Sequence, residues 1–178
     1  MTESEITDGN ERACELVGRF LYYFSKLEAE LNSAIMTLFK LDADSSDIVT
    51  ANIDFFRKLS IIGSAVRAQN ASRDQEWLRN EIDETFSAIA KINDLRIIIA
   101  HSAFSAHPVD GVQFTRIVAR DKLNRHAPIW TENNFAREFE KMKHLELALG
   151  NVLRHIQPYT PKLDFSDPRN SFYIPLLT

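Results

Sequence analysis

One cysteine, five glycines and no apolar run long enough to cross a membrane mark this 178-residue chain by what it has little of. With Cys14 alone, no intrachain disulfide can form. Flanked by Glu11 and Glu15 near an expected helix start, Cys14 lacks the electropositive niche that activates a thiol, and it reads as a packing residue. Five glycines are too few for an all-β fold with many tight turns, and they leave no phosphate-cradling loop. No stretch reaches the roughly 18 apolar residues of a membrane span, so no membrane partner is expected. The polar, acidic residues 1–10 do not read as a secretory leader, and the expected compartment is the cytoplasm. Metal motifs are missing as well: there is no paired-Cys zinc spacing and no His-Glu-x-x-His. The five histidines (101, 107, 126, 144 and 155) include no i, i+4 pair on one helix, so neither a metal site nor a cofactor is expected. Ser102 has no strand-to-helix elbow around it, which sets aside a hydrolase nucleophile. The net charge of −4 argues against general coating of nucleic acid. The charge is uneven, however: residues 1–50 carry ten Asp/Glu against four Lys/Arg, and the remainder fifteen against seventeen. A local basic site in the second part is compatible with that balance.

Helical periodicity dominates what is present. Val17, Phe20, Phe24, Leu27, Leu31, Ala34 and Leu38 recur at alternating spacings of three and four, which predicts a first helix over 11–41 with one apolar stripe. Ile48, Asn52, Phe55, Leu59, Ile62 and Val66 predict a second over 47–69, with Asn52 as its polar exception. Leu78, Ile82, Thr85, Ile89, Ile92, Arg96 and Ile99 predict a third over 73–101, capped by Ser72. Residues 103–107 and 112–119 are short extended runs around Pro108-Val109-Asp110-Gly111, and Asp-Gly is a strong hairpin-turn signal. Residues 121–129 read as a loop. Thr131 then caps a fourth helix over 132–156, with Asn134 where a capping box would place Glu or Gln and Pro158 as its stop.

The expected fold is mainly all-α: an antiparallel four-helix bundle with a short β-hairpin between the third and fourth helices. A flexible arm over 1–9 precedes the helical domain, 10–156. An extended tail over 157–178 follows, rich in Pro and aromatic residues, and it is expected to pack on the bundle or on a partner subunit.

One segment carries chemistry: Asn93-Asp94-Leu95-Arg96-Ile97-Ile98-Ile99-Ala100-His101-Ser102. Arg96 occupies a position that the period reserves for an apolar residue. A buried guanidinium without a partner is costly, so something must justify it. On one reading Arg96 snorkels or pairs with a carboxylate such as Glu28 or Glu30, and His101 is a helix-terminal residue favoured by the dipole. On the other, Arg96 offers a planar charge that matches a phosphate bidentately, and His101 a group that titrates near neutral pH. The two side chains point about 140° apart, at roughly 100° per residue, so the pair converges only if the helix end unwinds, if Arg96 reaches around, or if two subunits place the pairs face to face.

An Arg, four residues and a His at the end of the third long helix resemble the Arg-x(4–6)-His hallmark of the HEPN superfamily, over a helical order spanning most of 10–156. The resemblance implies a homodimer with both motifs at a shared cleft. It also implies metal-independent RNA cleavage, the ribose 2′-hydroxyl attacking the phosphate. Arg96 would then stabilise the developing charge, and His101 would act as general acid/base or orient the hydroxyl. Asn93 and Asp94 are possible auxiliaries outside the family motif. A toxin or phage-defence role, with an antitoxin or defence-system partner, would follow. Ile97 stands where many active members carry a polar residue. Ala103 stands where toxin members paired with a nucleotidyltransferase carry Tyr, which argues against a Tyr-modified mechanism. A catalytically inactive HEPN-like binding or dimerisation module is the main alternative. A helical regulatory protein, with Arg96 in a structural ion pair, is the other.

Overall fold

A computed structural model describes residues 3–70, 76–120 and 122–154. The chain is mostly helical with a small antiparallel sheet. In chain order the elements are α1 (Glu3–Phe39), α2 (Ala43–Ala51), α3 (Phe55–Asn70), α4 (Glu76–His101), β1 (Ala103–Ala106), β2 (Val112–Arg120), β3 (Lys122–His126), β4 (Ile129–Trp130) and α5 (Glu132–Arg154).

The apolar stripe of α1 becomes the axis of the core. Leu16, Val17, Phe20, Phe24, Leu27, Leu31, Ile35 and Leu38 are all buried, and α1 packs against α2, α3, α4 and α5. Neighbouring pairs fix the helix directions. Arg12 meets Glu132 and Lys26 meets Glu146, so α1 and α5 run parallel. Phe24 meets Phe55 and Glu28 meets Lys58, so α3 also runs with α1. Gly63 faces Phe86 and Arg67 meets Asp83, so α4 runs against α3.

This differs from four long alternating helices, and the cause is local. The expected second helix is two helices, broken at Asn52-Ile53-Asp54. Asn52 is the C-cap of α2, its amide donating to the carbonyl of Ile48 at 2.7 Å, and Asp54 accepts the backbone N–H of Arg57 at 2.9 Å at the start of α3. A C-cap followed two residues later by an N-cap lets the chain turn. The short α2 makes the return journey, which leaves α3 parallel to α1. Asp42 caps α2 through the N–H of Ser45 at 2.9 Å, and that hydrogen bond holds its carboxyl below the usual range.

Three further expectations are corrected. α1 begins at Glu3, so most of the expected arm over 1–9 is helical. Residues 121–129 contain strand: β3 pairs with the second half of β2, from Arg116↔His126 to Arg120↔Lys122. β4 pairs with the start of β2 through Val112↔Trp130 and Gln113↔Ile129. Cys14 is exposed, because it falls off the stripe that buries Ala13, Leu16 and Val17. The beginning of the third expected helix (residues 73–75), the last two residues of the fourth (155–156) and the tail over 157–178 lie outside the described residues.

The hairpin between the third and fourth expected helices is present as β1 and β2, in register from Ala103↔Thr115 to Ala106↔Val112. Gly111 closes it at φ 80°, where a Cβ would collide with the carbonyl oxygen of Trp130. Phe20 of α1, Phe114 of β2, Trp130 of β4 and Phe135 of α5 form one aromatic cluster with ring centroids 5.2–6.5 Å apart, joining the sheet to the helices. The cap at Thr131 forms with Asn134 as its partner: Thr131 N–H donates to Asn134 Oδ1 at 3.0 Å, and Asn134 N–H to Thr131 Oγ1 at 3.2 Å. An amide thus does the work of a capping-box Glu.

Candidate functional site

Arg96 lies on the side of α4 that faces α1. Its guanidinium carbon sits 5.5 Å from the ring centroid of Phe24, whose other neighbour is the ring of Phe55 at 4.5 Å. Phe24 is only 4% exposed, so the platform is fixed by the core, while Arg96 is partly buried. A cation held over an aromatic face gains about 0.5–2 kcal/mol depending on desolvation. That contact justifies an arginine on an apolar stripe without spending its hydrogen-bonding fork.

The carboxylates that could have neutralised Arg96 do not. Glu28, one turn beyond Phe24 on α1, accepts from Lys58 Nζ at 2.7 Å, and Lys58 is 3% exposed. Neither Glu28 nor Glu30 forms an ion pair with Arg96, and Arg96 has no ion pair among the described residues. The sequence marked Arg96 as anomalous. It did not reveal Phe24 as its support or Lys58 as the owner of Glu28, because a stripe shows which face is buried and not which residue on another helix lies opposite.

His101 is the last residue of α4 and is exposed. It stands among the unsatisfied C-terminal carbonyls, where a protonated ring interacts favourably with the helix dipole. Asn93 is 8% exposed and lies one turn before Arg96 on the same side of α4. Asp94 is exposed and shares a face with His101, two turns along. Within one chain the four candidates therefore form two groups: Asn93 with Arg96 against α1, and Asp94 with His101 toward solvent. Ser102, next in the chain, has a buried hydroxyl oxygen with no hydrogen-bond partner.

A cleft of about 710 Å³ lies elsewhere, between the N-terminal part of α1, the β1–β2 turn and the start of α5. Asn10, Arg12, His107, Asp110 and Glu132 supply its polar lining. Arg12 holds Glu132 through two hydrogen bonds, 2.8 and 2.9 Å, and Glu15 through a third at 2.6 Å. The bond to Glu132, and then that to Glu15, hold the guanidinium protonated still more firmly than usual, and Arg12 in turn pulls the Glu132 carboxyl below its usual range. Asp110 Oδ1 accepts the N–H of Glu132 at 3.2 Å, and His107 Nδ1 accepts the N–H groups of Val109 and Asp110, both at 3.4 Å. With Nδ1 accepting, the neutral His107 ring carries its proton on Nε2. The charges of this cleft are spent on one another and on the turn.

No cluster of three or more His, Cys, Asp or Glu suited to a metal occurs among the described residues, and no described helix is long and apolar enough to cross a membrane. No family model matches this chain, and neither a curated protein nor a solved structure is significantly similar to it.

Proposed function

We propose that this chain is a metal-independent RNA endonuclease of HEPN type that acts as a homodimer, with Arg96 and His101 as its catalytic pair. One observation carries the reading: the guanidinium of Arg96 is propped on Phe24 with no carboxylate partner among the described residues, five residues before an exposed His that ends the same helix. A supported but unneutralised guanidinium keeps its planar fork for two phosphate oxygens. An exposed imidazole can take the proton of a 2′-hydroxyl or return one to the leaving 5′-oxygen. The product is a 2′,3′-cyclic phosphate, and no step asks for a metal ion.

The dimer belongs to the proposal because α4 points the two groups apart by about 140°. A two-fold axis beside the end of α4 would set Arg96 of one copy near His101 of the other. Asp94, on the face of His101, and Asn93, on the side of Arg96, serve as auxiliary polar groups. A toxin or defence role, with RNA as substrate and a cognate regulator as partner, is the setting such an enzyme fits.

The test is cleavage of a mixed RNA pool by wild type and His101→Ala, purified identically, with EDTA throughout. Wild type should cleave, and a substrate with 2′-deoxy linkages should resist. His101→Ala should lose about 10²–10⁴-fold in rate. Equal cleavage by both proteins would refute the assignment.

A second reading has an observation in its favour. Within one chain the ≈710 Å³ cleft is lined by neither residue but by Arg12, His107 and Glu132, among others. A HEPN-like module that binds or dimerises without catalysis fits that arrangement. It would retain RNA or partner binding with no cleavage by either protein.

A further inference from the structure

We infer that Lys58 is a positioning residue whose task is to hold Glu28 away from Arg96, leaving the Arg96 guanidinium free for an anion. The inference rests on the proposed role of Arg96 as the phosphate-binding group, and it extends that role to the residues that keep it available.

Phe24 and Glu28 are four residues apart on α1, so they sit one above the other on one face of the helix. Arg96 lies over the ring of Phe24. Adjacent turns are about 5.4 Å apart, within the span of a Glu and an Arg side chain, so Glu28 is the carboxylate best placed to neutralise Arg96. It does not do so. Glu28 Oε1 is bound to Lys58 Nζ at 2.7 Å. The Lys58 side chain is 4% exposed, whereas that of Glu28 is 35% exposed.

That asymmetry identifies which partner needs the other. A buried ammonium requires a counter-charge, because an unpaired one is very costly. A carboxylate one-third exposed can be hydrated and has no comparable need. The pair is thus an expensive way to stabilise a helix contact. An apolar residue at 58 would pack between α1 and α3 without any ionic requirement. What an apolar residue could not do is occupy Glu28. With Lys58 removed, the nearest cation would capture that carboxylate, and Arg96 would become a structural ion pair.

The positions of the two cations support this division. Lys58 follows Phe55 by one turn on α3, as Glu28 follows Phe24 by one turn on α1. The rings of Phe24 and Phe55, centroids 4.5 Å apart and tilted by 35°, form the level at which Arg96 rests, and the Lys58–Glu28 pair forms the level beyond it. The cluster therefore holds two cations and one carboxylate from three helices. The buried cation takes the carboxylate, and the partly buried one is left with an aromatic face. The resulting surplus of positive charge at Arg96 suits an oxyanion such as a phosphodiester.

The experiment follows the Arg96 side-chain Nε–H by NMR in protein labelled with ¹⁵N-arginine, the signal being assigned by its loss in Arg96→Lys. RNA cleavage is measured in parallel. In wild type this proton should exchange rapidly with water, as expected for a guanidinium with no carboxylate. In Lys58→Met it should exchange markedly more slowly, and cleavage should fall about tenfold or more, since one preorganised charge is removed from the phosphate. Lys58→Met combined with Glu28→Gln should restore both fast exchange and most of the cleavage. A lysine that served only packing would not be rescued in this way. Glu28→Gln alone gives an independent arm should Lys58→Met fail to fold: its Arg96 Nε–H should exchange as in wild type, and a large change would overturn the inference. Slow exchange in wild type, or unchanged exchange in folded Lys58→Met, would also overturn it. If wild type cleaves no RNA while the exchange pattern appears as described, the endonuclease assignment fails and the role of Lys58 stands.

Discussion

Two regions of this protein carry an arginine beside nearby carboxylates, and they treat it in opposite ways. At the N-terminal part of α1, Arg12 is tied to Glu132 and Glu15 by three hydrogen bonds of 2.6–2.9 Å, and Asp110 and His107 are engaged with the backbone of the adjoining turn and helix. At the end of α4, Arg96 has an aromatic ring beneath it, and the carboxylate one turn away is held by Lys58. The first arrangement is a knot that fastens α1 to α5. The second leaves a charge over. The charged groups that line the cleft have thus already found partners within the fold.

The sharpest way to break this comparison is to remove each arginine in turn. Arg96→Ala should lower RNA cleavage by about 10²–10³-fold, the usual cost of deleting a preorganised charge at a developing oxyanion. Its cost in thermal stability should not exceed the about 0.5–2 kcal/mol of the contact with Phe24, because the side chain holds no ion pair among the described residues. Arg12→Ala should do the reverse, with cleavage within about twofold of wild type and a modest loss of stability, since exposed ion pairs contribute about 0–1 kcal/mol each. Cleavage lost in Arg12→Ala and retained in Arg96→Ala would place the chemistry in the cleft.

Gly111→Ala tests whether the cleft is architectural. A non-glycine residue at φ 80° is strained, and here its Cβ meets the Trp130 carbonyl. The substitution should destabilise the fold by about 1–3 kcal/mol in urea denaturation and should shift the near-UV signal of the aromatic cluster. Cleavage per folded molecule should be unchanged.

Glu132→Gln sharpens the same contrast through pH. Hydrogen bonding from Arg12 depresses the folded-state pKa of Glu132 relative to its unfolded value. A depressed carboxyl contributes stability that is fully present above the unfolded pKa and lost as pH falls through the folded one. The stability difference between wild type and Glu132→Gln should therefore be greatest near neutral pH and should vanish in acid. Glu132 is about half exposed, so solvent limits the difference to under about 1 kcal/mol. A difference that grew on acidification would contradict the assigned direction.

Much of the helical layout was legible in the sequence because each long stripe is regular. The stripes of α1, α4 and α5 coincide with buried residues from Val17 to Leu38, from Ile82 to Ile99 and from Phe135 to Val152, with the partly buried Arg96 as the exception. The break at residues 52–54 was flagged by Asn52 yet not resolved, since the apolar period resumes in phase at Phe55 and conceals the reversal. β3 was missed because Lys122-Leu123-Asn124-Arg125-His126 has one apolar residue in five, and an edge strand needs no apolar alternation. At the site, Arg96 stood out because it interrupts a stripe. Phe24, Glu28 and Lys58 did not, because each fits its own helix and acquires meaning only when three helices meet.

Mixing two inactive variants tests most directly whether Arg96 and His101 act together across a two-fold axis. Arg96→Ala and His101→Ala are co-refolded to form hybrid dimers, and RNA cleavage is measured in EDTA against each variant alone. Each variant alone should be inactive. The hybrid retains one Arg96 and one His101 on opposite copies, and it should recover an appreciable fraction of wild-type cleavage. Wild-type activity in a strict monomer by light scattering, or a hybrid as inactive as its parents, would contradict the composite site.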